Sequence, residues 1–119
     1  MKQPQSKLLL AAAAFLAMTS LPALAANVNN GKALVEKNNC ASCHGPDLQS
    51  PIAPAYPKIA GQKADYLFYA LKSYQPSTNA LVGRNNAIMG GQVAQFKESE
   101  LKDIAAYLAS LPTSLVMKK

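Results

Sequence analysis

Cys40, Cys43 and His44 are the residues with the most chemistry to offer. The 119-residue sequence holds two cysteines and one histidine, and all three fall within Cys40-Ala41-Ser42-Cys43-His44. Cysteines three apart on a tight helical turn lie on roughly one face, so both sulfurs can reach one edge of a flat ring. Each S–H can then add across one of two vinyl groups on neighbouring pyrroles of a porphyrin, leaving two thioether bonds. His44, next in the chain, falls beneath the metal and can bind it through Nε2. The Cys-x-x-Cys-His spacing thus reads as a site of c-type haem attachment. A structural zinc site would want about four nitrogen or sulfur ligands in a tetrahedron, against three adjacent ones here. A thioredoxin-like dithiol would open a helix beside a strand, in a βαβ pattern this sequence lacks. A disulfide between residues three apart closes too short a loop to stabilise much.

Iron in a closed electron-transfer site wants a second axial ligand, and no second histidine exists. Of the four methionines, Met1 and Met18 belong to an N-terminal leader and Met117 lies in the tail beyond Pro112. Met89 is left, on a stretch where Gly90-Gly91 allows close backbone approach, and is assigned as the sulfur ligand. The alternative is an ordinary buried hydrophobe.

The leader is an address rather than structure: Lys2 and Lys7, an apolar run from Leu8 to Met18, and a small-x-small site at Ala23-Leu24-Ala25. The apolar run is shorter than the roughly 20 residues a membrane span needs. Residues 1–25 are therefore expected to be a cleaved signal peptide and 26–119 a single domain, exported to the periplasm, with a retained anchor as the alternative. About 94 residues give one small domain with a thin core, and both cysteines are spent on the haem, so the porphyrin must supply apolar mass. Loss of Lys2 and Lys7 takes the formal charge from +6 to +4. That mild basicity suits an acidic protein partner. Nucleic acid would want a dense basic cluster, and these lysines are scattered.

The elements that must position the site read as all-α. Residues 28–38 show helical spacing of Ala33, Leu34 and Lys37, with Val35 alongside and Asn29 or Asn30 as cap. Residues 46–61 hold four of the eight prolines, Pro46, Pro51, Pro54 and Pro57, which rules out helix interior and makes central strand a poor fit. Their apolar content, in Ile52, Ala53, Ala55, Tyr56 and Ile59, predicts a loop packed on one side of the haem. A second helix is predicted over 64–74, with Leu67, Ala70, Leu71 and Tyr74 as its buried stripe, ended by Pro76. Residues 77–92 lose the helical signal at Gly83, Asn85, Asn86, Gly90 and Gly91. A last helix over 100–111, capped by Ser99 and stopped by Pro112, buries Leu101, Ile104, Ala105, Leu108 and Leu111. Tyr66, Tyr69 and Arg84 are candidates to reach a haem propionate.

From Gly31 to Leu111 the chain resembles the class I c-type cytochromes, in particular small bacterial periplasmic monohaem carriers and single halves of the dihaem periplasmic ones. The resemblance rests on Cys40-Ala41-Ser42-Cys43-His44-Gly45, Pro57-Lys58-Ile59-Ala60-Gly61-Gln62, Met89, and Ala105-Ala106-Tyr107-Leu108-Ala109. It implies a small fold in which N- and C-terminal helices cross, with Gly31 against Tyr107. Shorter helices and loops would surround one covalently bound haem c. It further implies that the Pro57 carbonyl accepts Nδ1–H of His44, with isoleucine at 59 where the family has leucine. The single haem motif departs from the dihaem arrangement, and the extra cysteine pair of some monohaem relatives is absent.

The reading is a non-enzymatic carrier of single electrons, with Cys40, Cys43, His44, Pro57 and Met89 around the haem and His44 and Met89 on the iron. It should be a monomer that docks redox partners transiently at an edge near Ala41, Ser42, Ile52 and Ile88, steered by Lys37, Lys58 and Lys63. The alternatives are a tightly bound cytochrome subunit of a periplasmic dehydrogenase, and a haem enzyme or gas sensor with an open sixth position.

Overall fold

The computed structural model describes residues 24–76 and 83–115. Residues 1–23 of the expected leader, and Met117, lie outside the described residues. Among those described there are five helices and no strand: α1 Val28–Lys37, α2 Ala41–His44, α3 Ala64–Ser73, α4 Ala87–Val93 and α5 Glu98–Ser110. No helix among them is long and apolar enough to cross a membrane.

The α1–α5 crossing is the frame of the molecule. Asn27 caps α1, its side chain accepting the Asn30 N–H at 3.0 Å, so the cap falls earlier than Asn29 or Asn30. Asp103 of α5 then fastens the start of α1, accepting from Asn27 N–H at 2.6 Å and Asn30 Nδ2 at 2.8 Å. Gly31 and Val35 are the residues α1 buries; Ala33 and Lys37 face solvent. A Cβ on Gly31 would overlap the Asp103 carbonyl and lie 2.9 Å from Tyr107 Cβ. The partner of Gly31 is thus α5 backbone as well as the Tyr107 side chain.

Gly31→Ala is expected to destabilise the haem-loaded protein by on the order of 3 kcal/mol. Alanine's better helix propensity returns only about 1 kcal/mol. Denaturant unfolding of the two proteins measures the difference.

The cap of α5 is Lys97 rather than Ser99. Lys97 N–H donates to Glu100 Oε2 at 2.8 Å, and Glu98 and Glu100 occupy the first turn, where the helix dipole favours negative charge. Its apolar stripe buries Leu101, Ile104, Ala105 and Leu108, as the spacing predicts, and Leu111 is the cap beyond it. α3 packs on the same helix through Leu67 and Phe68, although Phe68 lay outside the predicted stripe. Lys72 of α3 and Lys102 of α5 both pair with Glu98, at 2.6 and 3.3 Å, across the surface of that contact.

Residues 46–61 form the predicted loop, pinned rather than loose. Leu48 is buried at φ +58°, and its carbonyl accepts both Ile59 N–H at 2.9 Å and Ala60 N–H at 3.0 Å. Gly61 N–H reaches the Leu108 carbonyl at 2.8 Å, so the loop ends on α5. Ile52 and Ala55 face solvent, while Ala53, Tyr56 and Ile59 are half-buried.

The clearest departure is α4. Residues 87–93 are helical where Gly90 and Gly91 predicted a break. Asn86 supplies the reason, its side chain accepting the Met89 N–H at 2.9 Å and starting the helix. Met89, Val93 and Phe96 then recur at helical intervals, a period the two glycines obscured.

Candidate functional site

α2 is a single turn, opened by Cys40 and closed by Gly45. Asn39, at φ +51°, redirects the chain out of α1, and Cys40 N–H still reaches back to the Val35 carbonyl at 3.2 Å. Gly45 sits at φ +89°, and a Cβ there would overlap the Ser50 carbonyl; only glycine turns the chain this sharply after the histidine. Just beyond, Asp47 closes a tight turn by accepting from Gln49 N–H at 3.0 Å, Ser50 N–H at 2.7 Å and Ser50 Oγ at 2.8 Å. Those donors, the Gln49 backbone first, hold its carboxyl below the ordinary carboxylate range.

His44 is 5% exposed. Its Nδ1 lies 2.8 Å from the Pro57 carbonyl oxygen, which can only accept, so Nδ1 carries a proton and Nε2 is the nitrogen left for a metal. The Tyr56 ring stands edge-on to the imidazole, with centroids 6.4 Å apart. The loop therefore fixes both tautomer and orientation of the histidine, as the Pro57 reading expects.

Cys40 and Cys43 are free, half-buried thiols. Burial pushes the Cys40 thiol above its ordinary value, and Cys43 beside it acts in the same sense. Both line one crevice, together with His44, Met89 and Gln92, with a cavity of about 240 Å³. Its walls come from every part of the fold: Val35 of α1, Tyr56 and Ile59 of the loop, Leu71 of α3, Val93 and Phe96 around α4, Ile104 and Leu108 of α5. No Lys, Arg, Asp or Glu among the described residues lines it. The tertiary fold thus brings Met89 to the crevice that holds the pentapeptide, across 45 residues of chain.

These residues fit a covalently held haem. Two thiols on one helical turn, a histidine whose Nδ1 is committed and whose Nε2 is available, and a thioether share a crevice walled by apolar side chains. Pro57 takes part through its carbonyl only; its ring faces solvent. Ile88 at the crevice lip and Ile52, whose N–H donates to the Cys43 carbonyl at 3.1 Å, are 55% and 67% exposed, leaving an apolar rim. Lys37, Lys58 and Lys63 are exposed.

Three candidates fall elsewhere. Arg84 lies over the rings of Tyr66 and Tyr74, at 5.7 and 5.5 Å, and its Nη2 is 3.3 Å from the Tyr66 hydroxyl. Tyr69 packs edge-on against Phe68 at 5.0 Å. None of Tyr66, Tyr69 and Arg84 lines the crevice. Asn38, Asn39 and Gln92 are the polar crevice residues that sequence reasoning missed. Gln92 alone carried a signal, one turn after Met89 on the same helical face.

Residues 28–112 match the family model described as Cytochrome c. Cytochrome c-554(548) of Halomonas halodenitrificans is 38% identical over 71 residues, 60% of this chain and 82% of that protein. Cytochrome c4 of Stutzerimonas stutzeri is 38% identical over 89 residues, 71% of this chain and 40% of that protein. A protein named thiosulfate dehydrogenase electron acceptor, from Thiomonas intermedia, is 31% identical over 101 residues, 83% of this chain and 44% of its own length. The chain thus spans most of the first relative and less than half of the other two. With the attachment pentapeptide, the histidine held by Pro57 and the apolar crevice all in place, the chain belongs to the cytochrome c family, electron-transfer proteins built on covalently bound haem c.

Proposed function

We propose that this chain is a periplasmic carrier of single electrons, with its haem held by Cys40 and Cys43 and its iron ligated by His44 Nε2 and Met89 Sδ. One observation carries the reading: His44 and Met89 line the same crevice as both cysteines. When bound, the haem supplies a one-electron Fe(III)/Fe(II) couple. Everything else is done by the polypeptide. The two thiols fix the ring by thioether bonds, so it does not exchange. The Pro57 carbonyl keeps Nδ1–H engaged and Nε2 directed to the metal. A soft thioether favours the reduced state. The uncharged walls disfavour the extra positive charge of the oxidised one.

With His44 and Met89 both given to the iron, a substrate would find no open position on it, and this favours a carrier over an enzyme or gas sensor. Ile52 and Ile88 form the rim at which a partner would come close, and Lys37, Lys58 and Lys63 would draw an acidic one. The Thiomonas relative, named as the electron acceptor of a dehydrogenase, supports the same kind of task. Residues 1–25 are proposed as the cleaved export signal and 26–119 as the working domain, acting as a monomer.

Ferrous protein exposed to carbon monoxide tests the reading. The spectrum is expected to stay unchanged over minutes, and an electrode titration to fit a single one-electron wave. Rapid carbon monoxide binding by the wild-type protein would favour the open-site alternative instead.

A further inference from the structure

Met89 is carried by a helix that would not persist alone. α4 has seven residues, against the roughly 12–15 that an isolated helix needs in water. Gly90 and Gly91 within it each cost about 1 kcal/mol relative to alanine. Its own fastenings are few. Asn86 accepts the Met89 N–H at 2.9 Å, the Gly90 and Ala94 N–H groups close one turn each, and Val93 is the buried residue it contributes.

Gln95, just past α4, donates Nε2–H to Asn38 Oδ1 at 2.9 Å, and further support comes from the end of α3. Gln75, just past that helix, donates Nε2–H to the Val93 carbonyl at 3.1 Å and the Phe96 carbonyl at 2.8 Å. Those carbonyls lie where the N–H groups of α4 run out. On the approach to α4, Arg84 N–H donates to the Ser73 carbonyl at 2.8 Å while its guanidinium covers Tyr66 and Tyr74. Between these two ties, a Cβ on Gly90 would come within 3.2 Å of the Tyr74 carbonyl, so α4 and the end of α3 are in close contact. Met89 sits between a fastening before it and a fastening after it, both made to residues 66–75.

We propose that Gln75 and Arg84 are positioning residues for Met89: by tying both ends of its short helix to the end of α3, they govern how readily another ligand displaces its thioether. The inference rests on the reading of Met89 as the second iron ligand. Its consequence is local. The α1–α5 frame has separate fastenings, Asp103 to Asn27 and Asn30, so release of α4 need not unfold the domain.

The test uses haem-loaded ferric protein titrated with imidazole. The weak near-infrared charge-transfer band of methionine-bound ferric haem and the thermal midpoint are followed in parallel. Gln75→Met keeps the length of the side chain and removes both donors; it is expected to bind imidazole about tenfold more tightly. Its near-infrared band should also vanish at a lower pH than in the wild type. Arg84→Lys should shift imidazole affinity in the same direction by about two- to threefold. Asp103→Ala, which cuts the α1–α5 ties, should lower the thermal midpoint and leave imidazole affinity at the wild-type value.

A wild-type spectrum without the near-infrared band would remove the Met89 reading itself. A wild type with the band, together with Gln75→Met binding imidazole as the wild type does, would overturn the positioning role alone. So would Gln75→Met and Asp103→Ala changing affinity and thermal midpoint in the same proportion.

Discussion

Cys40→Ala/Cys43→Ala is expected to abolish covalent pigment and, with it, most of the folded structure. A free porphyrin must be captured from solution, whereas a tethered one is present at an effective concentration in the millimolar range. The crevice also takes one wall from each of α1, the loop, α3, α4 and α5, so an empty crevice would leave Val35, Leu71, Val93, Ile104 and Leu108 without a common partner. A domain has only about 5–15 kcal/mol to lose, and exposing several large apolar side chains at roughly 1.5–3 kcal/mol each is of that order. Acidified organic solvent should extract all colour from the double variant and none from the wild type. Far-UV circular dichroism of the variant should lose more than half its helical signal and its cooperative melt. A wild-type protein that released its pigment, or a double variant that melted cooperatively at the wild-type temperature, would contradict this account.

Met89→Leu is expected to keep the haem and lose the sulfur. Leucine has nearly the volume of methionine, so the crevice stays filled and stability changes by less than about 1.5 kcal/mol. The iron-facing thioether disappears, however, and no other described residue of the crevice offers a sulfur outside the attachment cysteines. The near-infrared band of the ferric protein should vanish and the ferrous protein should bind carbon monoxide. The potential should fall by on the order of 100 mV, within the roughly 0.8 V that axial ligation spans. Met117→Leu, in the tail beyond Pro112, should change none of these. Loss of the band in Met117→Leu but not in Met89→Leu would reassign the ligand.

Three effects at the crevice act in one direction. The thioether prefers the reduced state, apolar walls penalise the added charge of the oxidised state, and no cation or anion among the described residues lines the cavity to reverse that preference. The histidine contributes differently. Its bond to Pro57 O engages Nδ1–H and leaves Nε2 as the nitrogen turned toward the crevice.

The sequence by itself determined the attachment chemistry, because Cys40, Cys43 and His44 are contiguous and their geometry follows from one helical turn. It determined the terminal helix for the same kind of reason: Leu101, Ile104, Ala105 and Leu108 repeat at helical spacing without a breaker among them. The proline-rich loop was legible as irregular, since fixed φ angles and missing N–H groups are local properties. That Pro57 would face His44 came from family resemblance, because the local sequence does not say which carbonyl closes on the imidazole. The structure alone decided that α4 is a helix. Gly90 and Gly91 argue against one locally, and the opposing terms, Gln75 donating to Val93 and Phe96 and Arg84 resting on Tyr66 and Tyr74, come from residues distant in sequence. The same long-range packing set Arg84 and Tyr66 outside the lining of the crevice. Chemistry carried by neighbours in the chain can be read from their order. Chemistry that depends on two segments meeting is fixed only when burial and hydrogen bonding outweigh each segment's own preference.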